Sequence, residues 1–403
     1  MGEEGEGDGE YEEDGEYGED EGDEEDGEYE GTGKTRNIAN GMPVGPYYIY
    51  KEGAMLRLLT AVLVGGSLLH AVDIEDRVRK SAPVTSATRL TLNAEFGGIR
   101  VEPGDGQNVE VEVRFRGDPA SRGEFDRMLR DFKLELTHEG SDIHVSGTFQ
   151  NGWKPFSPFL VLDSIFGPGH PICHNGRCLE YSPWLREVEY RITVPRKFNA
   201  EMTTSGGPIS VSKLRGEVNV RTSGGPLSFD QIDGPVYWRT SGGPITVTRG
   251  TGRTEVHTSG GPIRISEVTG DVDASTSGGP ISIERTGGRV KAHTSGGWID
   301  IREATGAIDA STSGGLVTAS LAGQPSGECR LTTSGGLITV SLPRDVHVDL
   351  DASSGGGVVW SDFSVPTSGG DRHHRELRGP LNGGGPLLYL HTSGGGIRVR
   401  RVG

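Results

Sequence analysis

The sequence predicts an all-β chain: a single-stacked β-solenoid (β-helix) with 18-residue rungs, joined to a small α+β insertion and a disordered acidic N-terminus. Three observations predict it. The unit Thr-Ser-Gly-Gly recurs with Ser205, Ser223, Ser241, Ser259, Ser277, Ser295 and Ser313 spaced by 18 residues. Two segments in each unit alternate apolar with polar residues, the period of a strand with one buried face. Glycine supplies 66 of 403 residues while hydrophobics reach only 33%, which suits thin stacked turns better than a large layered core.

Residues 1–54 open the chain as an acidic tail. Positions 1–30 hold 18 carboxylates and no Lys or Arg, so the net charge of −17 belongs to this segment. Without it the chain has 39 acids against 40 bases, close to neutral. A segment that repels itself and has almost nothing to bury is expected to be disordered. It reads as a cation-binding or interaction tail, a plain solvated tail, or the product of a start codon placed too early.

Residues 55–71 run Met-Leu-Arg-Leu-Leu-Thr-Ala-Val-Leu-Val-Gly-Gly-Ser-Leu-Leu-His-Ala. Arg57 followed by the apolar stretch Leu58 to Leu69 and a small-residue site at Ala71 has the form of a secretory signal peptide. The apolar run is short of the ~20 residues a membrane span needs. A signal anchor is the alternative and would make residues 55–72 a membrane tether. Residues 72–86 are expected to be a linker.

Residues 87–115 read as the first rung. Gly97-Gly98-Ile99-Arg100-Val101 forms its corner and first strand, and Val109 to Val113 its second. Residues 116–194 interrupt the repeat. A helix is expected over Ser121 to Phe132, then strands near Lys133–Leu136 and Ile143–Val145. In the aromatic stretch that follows, Cys173 and Cys178 flank His174-Asn175-Gly176-Arg177. Asn-Gly is a strong hairpin turn, which places the two cysteines opposite each other at a non-hydrogen-bonded pair, a geometry that suits a disulfide. A metal reading would add His170 and His174, but the spacing matches no standard zinc pattern. The insertion reads as a cap over an open solenoid end. Its alternative is a binding surface, carried by Trp153, Phe156, Phe159, Phe166, Tyr181 and Trp184.

Residues 195–403 carry the repeats. Four residues after each Ser stand Ile209, Leu227, Ile245, Ile263, Ile281, Ile299 and Val317. A second strand contributes Val218, Val236, Thr254, Val272, Val290 and Ile308. Stacking in parallel at ~4.8 Å would make these residues continuous internal columns, and nine or ten rungs would extend on the order of 45 Å. The corners Ser205-Gly206-Gly207, Ser223-Gly224-Gly225, Ser241-Gly242-Gly243 and Ser259-Gly260-Gly261 are expected to use glycine for positive backbone angles. Pro208, Pro226, Pro244, Pro262 and Pro280 stiffen the entry to the first strand. The Thr before each Ser falls in the inward phase, against the outward array that ice binding needs. Cys329 falls inward too and is expected to be an inert thiol. Thr367–Asn382, with His373 and His374, reads as a polar loop.

The outward positions show no catalytic pattern. They mix signs, with Asp271 expected between Arg253 and Arg289, and lack the single-sign cluster of a pectate-lyase-like cleft. His257 and His293 share a column but lie two rungs, ~10 Å, apart, too far for one metal ion. Gly31-Thr32-Gly33-Lys34-Thr35 lacks the first glycine of a phosphate loop, since position 28 is Glu28. No cofactor is expected. The near-neutral body has no basic stripe, so nucleic acid is not an expected partner.

The units Thr-Ser-Gly-Gly-Pro-Ile-x-Val and Gly-x-Val-x-Val-x-Thr-Ser resemble the bacterial "putative adhesin" family, a domain of unknown function. Phe96 to Val101 and Thr392 to Val399 are similar to that family's first and last rungs, and the resemblance covers residues 87–403 apart from the insertion. It implies an exported β-solenoid in the periplasm, the cell envelope or outside the cell, with no catalytic residues, engaging a protein or glycan at the cell surface. The alternatives are an envelope-stress sensor ectodomain and a carbohydrate-active solenoid enzyme.

Overall fold

A computed structural model describes residues 73–84, 88–150, 172–174, 177–179, 185–366 and 375–403 of the chain. All belong to one body, Leu68–Gly403. The acidic tail 1–54 and the hydrophobic segment 55–71 lie outside the described residues.

The described residues are nearly all β, built on two long sheets of 14 strands each. One gathers the strands that follow the Gly-Gly corners, from Ile209–Ser212 to Ile338–Pro343; the other gathers the second strands, from Val218–Thr222 to Cys329–Thr333. Through the repeat region each strand pairs in parallel with its copy in the next repeat. Ile245 faces Ile263 and Ile263 faces Ile281 in the first-strand sheet, while Val256, Ala274 and Ala292 align in the second. The inward residues of both sheets are buried and share one core. The phase read from the sequence therefore sets the register, because slipping a strand by one residue would turn its aliphatic side chains to water.

The corners are held by a hydroxyl ladder. Thr258, Thr276, Thr294 and Thr312 donate to the carbonyls of Gly243, Gly261, Gly279 and Gly297 in the preceding repeat at 2.8 to 3.1 Å. Each also accepts from the N–H of the second glycine in its own corner at 3.2 to 3.3 Å. The threonine methyl packs inward, so one residue serves both core and ladder. Thr276→Val is expected to destabilise the body by about 1–3 kcal/mol, because it keeps the shape but leaves a buried carbonyl and N–H unpaired. Thr276→Ser, which keeps both bonds, should cost less. Urea melts of the three proteins would show it, and equal midpoints for Val and wild type would remove the ladder's role.

Positive backbone angles are not the general reason for the glycine pairs. Among the paired corner glycines expected to need them, only Gly207 has a positive φ, 107°. At the other corners the second glycine is required by space. A Cβ on Gly243, Gly261 or Gly279 would stand 2.0 to 2.1 Å from the carbonyl oxygen of the second glycine one repeat back. The first glycines differ: Gly206 and Gly224 have open space, and Gly242 and Gly260 meet nothing nearer than 3.8 Å.

Both ends depart from the repeat. The strands Arg89–Ala94 and Gly98–Gly104 pair in parallel with Asn199–Thr204 and Ile209–Ser212, one in each sheet, as the later repeats pair with one another. Val109 to Val113 do not supply the expected second strand. They lie in Asn108–Gly117, which turns back antiparallel against Leu185–Pro195 in the first-strand sheet. Residues 72–86 are not a simple linker either. They contain the strand Ile74–Pro83, antiparallel to Asn108–Gly117, with Val78 opposite Val113.

The insertion extends the stack. Its helix, Arg122–Asp131, buries Phe125 and Met128, and Phe132–Glu139 pairs antiparallel with Asp142–Phe149. Asp142–Phe149 and Leu185–Pro195 then add one parallel strand to each sheet, outside Arg89–Ala94 and Gly98–Gly104. At the other end Leu387–Thr392 and Ile397–Val402, last in sequence, slot between the Cys329–Pro343 repeat and the strands Val348–Ser354 and Val359–Ser361. Part of the expected polar loop 367–382 is a strand: Glu376–Leu381 pairs antiparallel with Val348–Ser354. His373 and His374 lie outside the described residues. The antiparallel strands close three of the four sheet edges, and the fourth ends on a strand of only three residues, Val359–Ser361; charged and short edges resist pairing with other chains.

Candidate interaction surface

The aromatic residues singled out for binding, Trp153, Phe156, Phe159, Phe166, Tyr181 and Trp184, lie outside the described residues. Their segment is bounded by Asp142–Phe149 and Leu185–Pro195, one in each sheet. Within it, Ile172–His174 and Arg177–Leu179 form the expected antiparallel hairpin, with Cys173 opposite Cys178 and His174 opposite Arg177.

On Leu185–Pro195 and its neighbours the outer face of the first-strand sheet is an ion-pair lattice. Arg191 and Arg100 bond Glu189 through Nε at 2.7 and 3.2 Å. Burial pushes the Glu189 carboxyl up, but the two guanidiniums outweigh it and hold the group below the usual carboxylate range. A groove of about 690 Å³ lies across this face, lined by Arg77, Arg79, Arg114, Arg191, Glu110 and Glu112 among others. Its arginines are matched by carboxylates, Arg77 with Glu112 at 3.7 Å and Arg114 with Glu75 at 3.1 Å, so the groove is not an open anion site. Such half-exposed pairs contribute little individually.

On the second-strand sheet the nearest approach to a catalytic constellation is Ser275–His257–Glu255. The His257 Nδ1 meets the Ser275 hydroxyl, and its Nε2 lies 3.2 Å from Glu255. This bond to His257, ahead of the nearby Arg253, lowers the Glu255 pKa. The pairing repeats at His293–Ser311, 2.7 Å, and His391–Ser353, 2.9 Å. These histidines stand one step along the same ladder from serines, and the strands around them spend their N–H groups on sheet pairing. Histidine and serine thus pair across adjacent strands as a surface ladder. The sequence carries this signal in the 18-residue spacing from His257 to Ser275, beside the column that His257 shares with His293.

Two further positions named from the sequence are described. Asp271 does stand between Arg253 and Arg289 in the column, but its Oδ1 accepts the Arg289 backbone N–H at 2.8 Å, while the Arg253 side chain turns to Glu255. Cys329 is buried as expected, at 1% exposure, and burial pushes its thiol pKa up.

The position after the second glycine carries an unforeseen feature. Pro208 to Pro280 occupy it in five repeats, and Trp298, Leu316, Leu337 and Val358 take it over toward the C-terminal end. These four are 42%, 48%, 46% and 48% exposed. The change of residue type is visible in the sequence, where the prolines alone suggest stiffening.

Several solved structures are similar to the chain. A putative adhesin from Bacteroides fragilis matches with 9% identity and a TM-score of 0.31, over 81% of this chain and 97% of that one. A putative adhesin from Parabacteroides distasonis matches with 10% identity and a TM-score of 0.31, over the same shares. This chain resembles bacterial putative adhesins. A putative cell adhesion protein from Clostridium sporogenes also matches, at 12% identity and a TM-score of 0.21, over 82% of this chain and all of that one. No family model matches the chain, and no curated protein does. Likeness this remote assigns neither ligand nor activity. Among the described residues, no helix is long and apolar enough to cross a membrane.

Proposed function

We propose that the chain is an exported, adhesin-like β-solenoid that presents a rigid surface for binding in the cell envelope or outside the cell, without catalysis. The observation that carries this reading is the in-register parallel pairing of successive repeats. It buries one alternating face of every strand and leaves the other free to vary, so the fold tolerates a surface shaped by a partner. The partner is a protein or glycan, and the aromatic segment 151–184 is the proposed place of contact.

Export is supported by the form of residues 55–71 and by the cysteine hairpin, since disulfides persist in oxidising compartments. N-terminal sequencing of the mature protein is expected to begin at Val72. Thiol alkylation of the same sample should label Cys173 and Cys178 only after reduction. A start at Met1 with both cysteines freely reactive would refute export, and retention of residues 55–71 would favour a membrane-held sensor.

Binding is tested by a glycan array and a surface-protein array, each paired with a polysaccharide hydrolysis assay. Binding without turnover that weakens at least tenfold on Trp153→Ala and Trp184→Ala is the expected result. Turnover of any polysaccharide would overturn the non-enzymatic reading.

A further inference from the structure

Trp298, Leu316, Leu337 and Val358 account for four of the six large hydrophobic side chains exposed among the described residues. They share one corner column. Repeat pairing sets Trp298 beside Leu316 and Leu316 beside Leu337. The next position is Gly396, and a Cβ there would lie 3.5 Å from Leu337 Cδ1, so Leu337 covers the gap before Val358. The ridge extends ~19 Å at the spacing of paired strands. Nothing in the backbone demands these residues, since proline fills the same position in five repeats. Contiguous exposed apolar surface of this kind marks a contact site.

The surroundings of the ridge indicate what it touches. On the adjoining outer face stand Arg398 and Arg400, followed by Arg401, and none of the three side chains forms an ion pair among the described residues. Arg398 lies 5.4 Å over the Trp360 ring and Arg401 5.9 Å over Phe363. The nearby carboxylates are engaged elsewhere: Asp362 accepts the Arg401 backbone N–H at 3.0 Å, and Asp300 pairs with Arg302 at 2.7 Å. Exposed aliphatic side chains, Trp298 at one end and guanidiniums without ion pairs on one flank are the chemistry of a surface that rests on anionic lipid.

We propose that this corner docks on an anionic phospholipid surface. Trp298, Leu316, Leu337 and Val358 enter the boundary between headgroups and acyl chains, and Arg398, Arg400 and Arg401 meet the lipid phosphates. The contact is separate from the partner surface proposed at residues 151–184.

Co-sedimentation of the full chain with vesicles tests it, comparing phosphatidylglycerol–phosphatidylcholine mixtures with phosphatidylcholine alone. The expected result is preference for the anionic vesicles that weakens with salt, because exposed charge is screened. Leu316→Ser with Leu337→Ser, and separately Arg398→Glu with Arg400→Glu, should each lower partitioning at least tenfold. These positions are exposed, and unchanged melting would show that the variants fold. Residues 55–71 are present in every protein, so attachment through them alone would leave the variants equal to wild type and overturn the proposal. Brominated lipid gives a second reading: tryptophan quenching should drop sharply in Trp298→Phe. Unchanged quenching would place the ridge away from lipid. Lipid-free self-association abolished by the Leu variants would assign the ridge to a second copy instead.

Discussion

Gly261→Ala is expected to destabilise the body by about 3–5 kcal/mol, while Gly260→Ala one residue earlier leaves it within ~1 kcal/mol of wild type. Neither glycine has a positive φ, so backbone strain does not separate them. Space does. A Cβ on Gly261 would stand 2.1 Å from the Gly243 carbonyl oxygen, and that oxygen also accepts the Thr258 hydroxyl. To admit a methyl the two repeats must part, which breaks the threonine ladder and loosens strand pairing on both sides. On Gly260 the nearest atom is the Gly242 oxygen at 3.8 Å, an ordinary contact. A small gain is even expected there, because alanine restricts the unfolded chain. Chemical denaturation of the two variants and wild type decides the matter. Equal destabilisation by both would mean the repeats do not approach as closely as described.

Trp238→Ala should be comparably damaging, at about 3–5 kcal/mol. Trp238 is 1% exposed and meets Phe229 edge to face, with ring centroids 4.4 Å apart and planes at 73°. The two rings fill one repeat from opposite sheets, and their column neighbours, Val220 and Val256, Val211 and Val247, are too small to collapse into the space. Trp238→Leu should lose less, since the indole Nε1 has no hydrogen-bond partner to forfeit. Because each repeat touches only its neighbours, the Ala variant should also broaden or split the unfolding transition. A sharp transition at the wild-type midpoint would show that the ring does not fill the core.

The repeat was legible because its constraints lie inside one 18-residue period. Ile245, Ile263 and Ile281 recur in one phase and Thr254, Val272 and Val290 in another, and burial follows both phases. What lay between repeats was not legible. The second glycine is excluded from carrying a side chain by a carbonyl 18 residues away, a fact no single corner reveals, and positive φ was the only local reason available. The ends were hidden for a similar reason. Val109 to Val113 alternate just as an inner strand does, yet they run antiparallel between Ile74–Pro83 and Leu185–Pro195, which their own alternation does not reveal. The strand Ile74–Pro83 is mostly exposed and charged, with only Ala82 fully buried, so it leaves almost no pattern to read. The insertion of Leu387–Val402 between earlier strands depends on pairing across 59 residues on one side and 38 on the other, beyond any local signal.

Successive repeats lying directly over one another is the claim on which core, corners and surfaces all rest. Spin labels on the outward column of the first-strand sheet measure it, with pairs at Thr246 and Thr318, Ser210 and Thr318, and Ser210 and Thr339, which lie four, six and seven strands apart. Dipolar distances should rise in a line from ~19 to ~29 to ~34 Å, plus a constant label offset, at ~4.8 Å for each strand added. Distances that fail to grow with the number of repeats would contradict the stack.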